Sequence, residues 1–118
     1  MYNSLKENLS SLKSAFANSA DFTVRDMILN SDNKTTSAVI TIEGMCSKEV
    51  IALSIINPIF DFDFKNADGA QILDEIRLSV LSASEIVEFE SFDEAIMFLT
   101  SGFAVIAVDG CSKMLAIG

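Results

Sequence analysis

Residues 85–118, EIVEFESFDEAIMFLTSGFAVIAVDGCSKMLAIG, decide the fold, because their pattern predicts a strand, a helix and then two further strands. The helix follows Ser91, a preferred N-cap residue, and Glu94 three positions later completes the sequence of a capping box. Its apolar residues fall at helical spacing, and Gly102 stands where a left-handed C-cap ends a helix. We therefore predict one amphipathic helix between Ser91 and Gly102.

The end of this stretch predicts the centre of a sheet. Phe103–Val108 contains no polar residue, which is typical of a strand that is covered on both faces. Asp109-Gly110 then signals a turn, and Lys113–Ile117 returns as a partner strand. We expect Phe103–Val108 to be the central strand of the domain.

The first part of the chain adds a helix and a hairpin. Phe22–Leu29 is predicted to be a strand by its β-branched and aromatic residues, and Ser37–Glu43 returns as a second strand after a polar turn, which predicts a β-hairpin. An amphipathic first helix is predicted by four apolar residues at helical spacing: Leu5, Leu9, Leu12 and Phe16.

The middle of the chain contains a proline and an alternation of phenylalanine with charged residues. Ser47 is a suitable N-cap for a helix that reaches Asn57, because Pro58 disfavours helical geometry in the residue before it. The alternation over Ile59–Lys65 predicts an extended segment at a sheet edge, or alternatively the lip of a ligand site. A third helix is marked by Ile72, Leu73, Ile76 and Val80. Together these elements predict an α/β fold, with a mixed sheet of about five strands flanked by helices in a single compact domain.

The composition argues against several classes of function. Half of the 118 residues are apolar, the mean hydropathy is +0.40 and the net charge is −9 at pH 7. Binding to nucleic acid relies on basic residues that neutralise phosphates, and this chain has only eight. We therefore expect no nucleic-acid partner. The apolar excess favours a surface that meets a partner, although efficient burial in an α/β core explains it equally well.

The chain also lacks the usual catalytic residues. The absence of histidine removes the commonest general base and leaves a zinc site dependent on carboxylates, while the five glycines form no phosphate loop. We predict a protein that is not an enzyme and has no cofactor and no metal site.

Cys46 and Cys111 are expected to be free thiols in a reducing compartment. No signal peptide or membrane-spanning run is evident, so this segment is expected to be soluble by itself.

Two weaker signals concern binding. Arg25, in the middle of a predicted strand, is a candidate ligand-binding residue that would hold a carboxylate bidentately, although Asp26 offers it a structural partner. Segments 39–48 and 105–113 share a strand, an acid, a glycine and Cys-Ser-Lys. If the two strands ran parallel, both cysteines would lie at one end of the sheet, where ligands bind in open α/β sheets. The plainer interpretation is that apolar strands often end in acid–glycine turns.

Residues 85–118 also resemble the A subunits of nutrient germinant receptors of spore-forming bacteria. The soluble N-terminal region of that family carries an acidic DEAI helix, an apolar strand that ends in Asp-Gly, and a further strand that ends in Ile-Gly. Two earlier segments, Asp21–Asp26 and Ile42–Glu49, resemble other strands and junctions of the same region. The matching residues in the final stretch are Asp93, Glu94, Ala95, Ile96, Leu99, Ser101, Gly102, Asp109, Gly110, Lys113, Leu115, Ile117 and Gly118.

The resemblance implies that residues 1–118 are the first N-terminal subdomain of such an A subunit and a fragment of a longer membrane protein. In that family the region lies on the cytoplasmic side of the spore's inner membrane, and the receptor works with B and C subunits. The implied function is non-enzymatic: this domain would contribute to the sensing of small nutrient germinants, such as amino acids, or relay their signal. The alternative is a protein–protein assembly module that docks other receptor subunits or copies of itself.

The final strand carries the candidate partner surface. It is apolar on both faces, so we expect one face to remain exposed after the helices have covered the other. The candidate residues are Met114, Leu115 and Ile117, and self-association of the isolated domain is expected to involve them.

Overall fold

The computed structural model describes residues 1–16, 21–83 and 85–118. The helices are α1 (Leu5–Ala15), α2 (Lys48–Ile51), α3 (Asn57–Asp61), α4 (Gly69–Glu75) and α5 (Phe92–Thr100). Two π-helical turns, π1 (Ala52–Ile56) and π2 (Ile76–Val80), continue α2 and α4, so that 48–61 and 69–80 are each one continuous helical rod. The strands are β1 (Phe22–Ile28), β2 (Thr36–Ile42), β3 (Ile86–Phe89), β4 (Ala104–Val108) and β5 (Met114–Ile117).

The five strands of the described residues form one sheet in the order β1-β2-β4-β5-β3, and all four pairs are antiparallel. β4 lies in the middle and every one of its residues is buried, which confirms that it is the central strand. β1 and β2 form the predicted hairpin, paired from Phe22 with Ile42 to Ile28 with Thr36. The predicted α/β class, with about five strands flanked by helices, is confirmed.

Helices cover both faces of the sheet and create two cores. On one face the rods 48–61 and 69–80 pack on the sheet, with Ile59 and Ile106 among the buried side chains. On the other face α1 and α5 pack on the sheet, and Leu12 and Leu99 are buried in one core with Val105. Successive residues of β4 point to opposite faces, so this single strand supplies both cores. Burying each such side chain contributes about 1.5–3 kcal/mol.

Local capping fixes where two of the helices begin. Ser91 Oγ accepts a hydrogen bond from the Glu94 N–H at 3.2 Å and donates to Glu94 Oε1 at 2.9 Å, so α5 starts where the sequence predicted. At α4 the capping box is reciprocal, because the side chains of Asp68 and Gln71 each accept from the other's backbone N–H.

The prediction that a helix stops at Asn57 is wrong, because the rod continues through Pro58 to Asp61. The turn π1 ends at Ile56, two residues before the proline, and the Asn57 N–H donates to the Ala52 carbonyl, five residues back. Proline lacks an N–H, and its ring clashes with the carbonyl of the preceding helical turn. A wide π turn opens the backbone at this point, which allows the helix to pass the proline.

The extended edge segment predicted over Ile59–Lys65 is also wrong. Its first residues belong to α3, and the remainder forms a short loop in which the Phe62 and Phe64 rings pack with centroids 4.8 Å apart. Ile59 and Phe64 are both buried in the core beneath the rods. The backbone conformation of this segment therefore follows from the burial of these two side chains and not from the alternation of phenylalanine with charged residues.

The expectation that β5 leaves one face exposed is wrong as well. Met114 is buried in the core beneath α1 and α5, whereas Leu115 and Ile117 are buried in the core beneath the two rods. Their exposed fractions are 0%, 0% and 7%. Because helices cover both sides of the sheet, these three residues are not available as a partner surface.

None of the described helices has the length and hydropathy that a membrane span requires.

Candidate functional site

Two clefts lie at one end of the sheet, which we call the open end. The end of β2 and the start of β4 meet there, because Ile40 pairs with Val105 in the antiparallel register. The chain leaves β2 through a turn in which Gly44 has a left-handed φ of +86° and the Met45 N–H donates to the Ile42 carbonyl at 3.2 Å. Cys46 follows this turn and lines both clefts.

The first of these, which we call the Arg25 cleft, has a volume of about 270 Å³. It lies between the hairpin β1–β2 and the first turns of the rod 48–61. Its apolar walls include Val39, Ile42, Ile51 and Ile56, and its charged lining residues are Arg25, Glu43 and Lys48.

The charges of the Arg25 cleft are not balanced. Arg25 lies opposite Val39 in the hairpin, and Asp26 projects to the other face of the strand, so the two do not form an ion pair. Lys48 Nζ lies 3.6 Å from Glu43 Oε1, and both side chains are exposed. No ion pair or hydrogen bond joins the Arg25 guanidinium to another residue of the described ranges, which leaves one cation of the cleft without an acidic partner there.

The second cleft, which we call the apolar groove, has a volume of about 690 Å³. Its floor includes Ala104 and Ile117 from the sheet, and the rod 48–61 forms one wall. The apolar lining residues include Met45, Val50, Leu53, Ile55 and Val80, and none of the described lining residues has a charged side chain. The Cys46 thiol donates to the Gly102 carbonyl at an Sγ–O distance of 3.0 Å.

The opposite end of the sheet, which we call the closed end, is held together at the Asp109-Gly110 turn. Asp109 Oδ1 accepts from the Leu5 N–H at 2.9 Å, and the Gly110 N–H donates to the Asn3 carbonyl at 2.8 Å. The first residue of α4, Gly69, packs so closely on this turn that an added Cβ would collide with the Asp109 carbonyl oxygen. The turn between β4 and β5 therefore secures the N-terminal segment and α4 together.

The shared Cys-Ser-Lys pattern does not assemble a site. Because β2 and β4 run antiparallel, Cys46 lies at the open end and Cys111 at the closed end. Both are free thiols, and burial raises the pKa of each above its ordinary value. In the described part of the chain, no group of three or more potential ligands is arranged to hold a metal ion. The arrangement supports no redox or metal chemistry between the two cysteines.

Of the candidate residues, the structure brings Arg25 to a cleft and buries Met114, Leu115 and Ile117. Sequence reasoning did not identify the apolar groove, because its walls come from segments that are far apart in the chain. The one signal that pointed towards it was the apolar excess of the composition.

The family of the chain follows from a comparison with protein-family models. The model of the Bacillus/Clostridium GerA spore germination protein matches residues 10–118. The chain belongs to this family. No curated protein matches its sequence.

A solved structure agrees with this assignment. The GerA-family chain is similar to the N-terminal domain of the A subunit of the Bacillus megaterium spore germinant receptor GerK3, with a TM-score of 0.79 and 22% sequence identity. The match covers 100% of this chain and 47% of that chain, so the present chain spans about half the length of the other. The resemblance to receptor A subunits that the sequence indicated is confirmed.

Proposed function

We propose that this GerA-family domain is a non-enzymatic part of a spore germination receptor and that it contributes to the sensing of small nutrient germinants through the Arg25 cleft. The observation that carries the proposal is Arg25, an exposed residue that lines a largely apolar cleft and has no acidic partner among the described residues. A guanidinium presents paired N–H donors that match a carboxylate bidentately, and such bonds are stronger than neutral ones.

The size and lining of the Arg25 cleft favour a ligand of amino-acid size. Its volume of about 270 Å³ lies just below the range for small-molecule pockets, which is about 300–1,000 Å³, and so favours a small ligand. With a carboxylate on Arg25, the Glu43 carboxylate can accept from an ammonium group of the same ligand. Ile51 and Ile56 then offer an apolar wall for the rest of the molecule.

The proposal extends to the parent protein. Residues 1–118 would be the first N-terminal subdomain of a longer, membrane-embedded A subunit, on the cytoplasmic side of the spore's inner membrane. Its partners would be the other receptor subunits, to which the domain would relay the binding of a germinant. The family match and the similarity in fold to the N-terminal domain of a receptor A subunit support this placement.

Calorimetric titration of the domain with a panel of amino acids tests the sensing function. At least one amino acid should bind saturably, and Arg25→Gln should weaken that binding by at least about tenfold, because a charge-assisted bidentate contact is lost. Arg77→Gln is the matched control, since Arg77 pairs with Asp74 at 3.7 Å and lies outside the cleft. If no member of a broad panel binds, or if both variants lose binding equally, the Arg25 cleft is not a germinant site.

The alternative function, an assembly module, is favoured by a different observation. Leu53 and Leu78 are 70% and 69% exposed, and they lie on the two neighbouring rods that cover one face of the sheet. Large exposed apolar side chains on one layer are typical of a protein–protein contact. Sedimentation equilibrium over a wide concentration range should then show association that Leu78→Lys weakens. A strict monomer would remove the support for association with copies of itself.

A further inference from the structure

We propose that the apolar groove is a second binding site, for an uncharged small molecule with an aliphatic or aromatic body. Its volume of about 690 Å³ falls within the range of small-molecule pockets, about 300–1,000 Å³. The site is distinct from the Arg25 cleft in its chemistry, and the proposal does not depend on amino-acid binding there.

The charge of the lining selects a neutral ligand. Charged residues make up 21% of the chain and its net charge is −9, yet the part of the lining that the structure describes contains no charged side chain. A carboxylate placed in the groove would lose hydration without gaining a cationic partner, and Glu85 Oε2, which lies 3.2 Å from a Cβ built on the lining residue Gly118, would repel it. An uncharged ligand avoids this penalty, so the groove discriminates against anions.

Two of the polar groups in the groove are already used within the protein. The Cys46 thiol donates to the Gly102 carbonyl, and Ser47 Oγ accepts from the Val50 N–H at 3.4 Å as a helix cap. The Ser54 and Ser82 hydroxyls also line the groove and can form hydrogen bonds with an uncharged polar group of a ligand. Apolar contact is available as well, because Met45, Val50 and Leu53 are 47%, 59% and 70% exposed and a bound ligand would remove part of that surface from water.

The groove is framed by elements that the fold holds in place. Its floor residues Ala104 and Ile117 are paired across the strands β4 and β5. Gly102 has a left-handed φ of +90°, and a Cβ built on it would lie 3.7 Å from the Met45 carbonyl oxygen, so the loop before β4 lies against the turn after β2. A cavity between such fixed walls exists before the ligand arrives, which lowers the entropic cost of binding.

Titration of the domain with the neutral fluorophore phenylnaphthylamine tests the proposal, with decanol and decanoate as competitors that differ in charge. The fluorophore should bind saturably with one site per chain. Decanol should displace it, and decanoate should be weaker by at least about tenfold at neutral pH, because its carboxylate finds no cation in the groove.

Two matched variants locate the site. Ser54→Trp introduces a large side chain at an exposed position that lines the groove and should weaken fluorophore binding by about tenfold. Ser79→Trp makes the same change at an exposed position on the other rod and should leave binding unchanged. Arg25→Gln should also leave it unchanged, which separates this result from the germinant titration.

Three outcomes of the fluorophore titrations would overturn the proposal. These are the absence of saturable fluorophore binding, displacement by decanoate as strong as that by decanol, and equal loss of binding in the two tryptophan variants. If fluorophore binding instead competes with self-association in sedimentation experiments, the groove is occupied by a second copy and the small-molecule assignment is wrong.

Discussion

The chain contains two acid–glycine turns of similar sequence, and the fold uses them in opposite ways. At the closed end Asp109 accepts a hydrogen bond from Leu5, and Gly110 donates one to Asn3. At the open end the Glu43 carboxylate makes an exposed ion pair with Lys48, and a Cβ built on Gly44 would meet nothing within 4 Å. The comparison shows that the Asp109-Gly110 turn is tied to neighbouring elements, whereas the Glu43-Gly44 turn lies beside the candidate binding clefts.

The largest difference between the two ends should appear when glycines are replaced. Gly69→Ala should lower the free energy of unfolding by about 3 kcal/mol, because its Cβ collides with the Asp109 carbonyl oxygen and the turn must shift. Gly44→Ala is the control at the open end and should cost about 1–2 kcal/mol, from its left-handed backbone alone. Urea unfolding of both variants measures the difference. Equal losses would mean that the closed end is not packed as described.

A smaller difference is expected for the two acidic side chains. Asp109→Ala should lower the free energy of unfolding by about 1–2 kcal/mol, since the Leu5 N–H at the start of α1 loses its acceptor. Asp109→Asn retains an acceptor oxygen and should recover part of that loss. Glu43→Ala should change stability by less than about 0.5 kcal/mol, because its ion pair is solvent-exposed. Thermal unfolding measures all three, and a larger loss for Glu43→Ala than for Asp109→Ala would reverse the comparison.

The smallest perturbation is chemical labelling of the two thiols in the native protein. Cys46 is half-buried at the clefts, whereas Cys111 is buried at the closed end, so a thiol reagent should label Cys46 faster by on the order of tenfold. Burial raises the pKa of both thiols, so less of the reactive thiolate is present at neutral pH. The labelling rates of both thiols should therefore still increase with pH above the pH at which an ordinary cysteine is fully ionised.

Rates measured separately in Cys46→Ser and Cys111→Ser distinguish the two sites, and the unfolded wild-type chain should give two thiols. Faster labelling of Cys111 would show that the closed end opens more readily than the open end.

Several elements were predictable because their signals are local. Ser91 and Glu94 lie one helical turn apart, so the start of α5 is set by residues that meet as soon as the helix forms. The unbroken apolar run of β4 likewise requires cover on both faces wherever the strand is placed. Arg25 was identifiable as a candidate because an arginine inside a strand is conspicuous in the sequence, although the sequence does not show what surrounds it.

By itself, therefore, the sequence determined the helices and strands whose signals span a few residues, the central strand, the α/β class and the resemblance to receptor A subunits. Only the tertiary structure decided that the rod 48–61 passes through Pro58, that β5 is buried on both faces, and that the two acid–glycine turns lie at opposite ends. The first depends on a π turn that the periodicity of the sequence does not reveal, whereas the other two depend on the packing and pairing of segments that are distant in the chain. Local patterns set the preference of a segment, but packing between distant segments determines which surfaces are covered and where clefts remain.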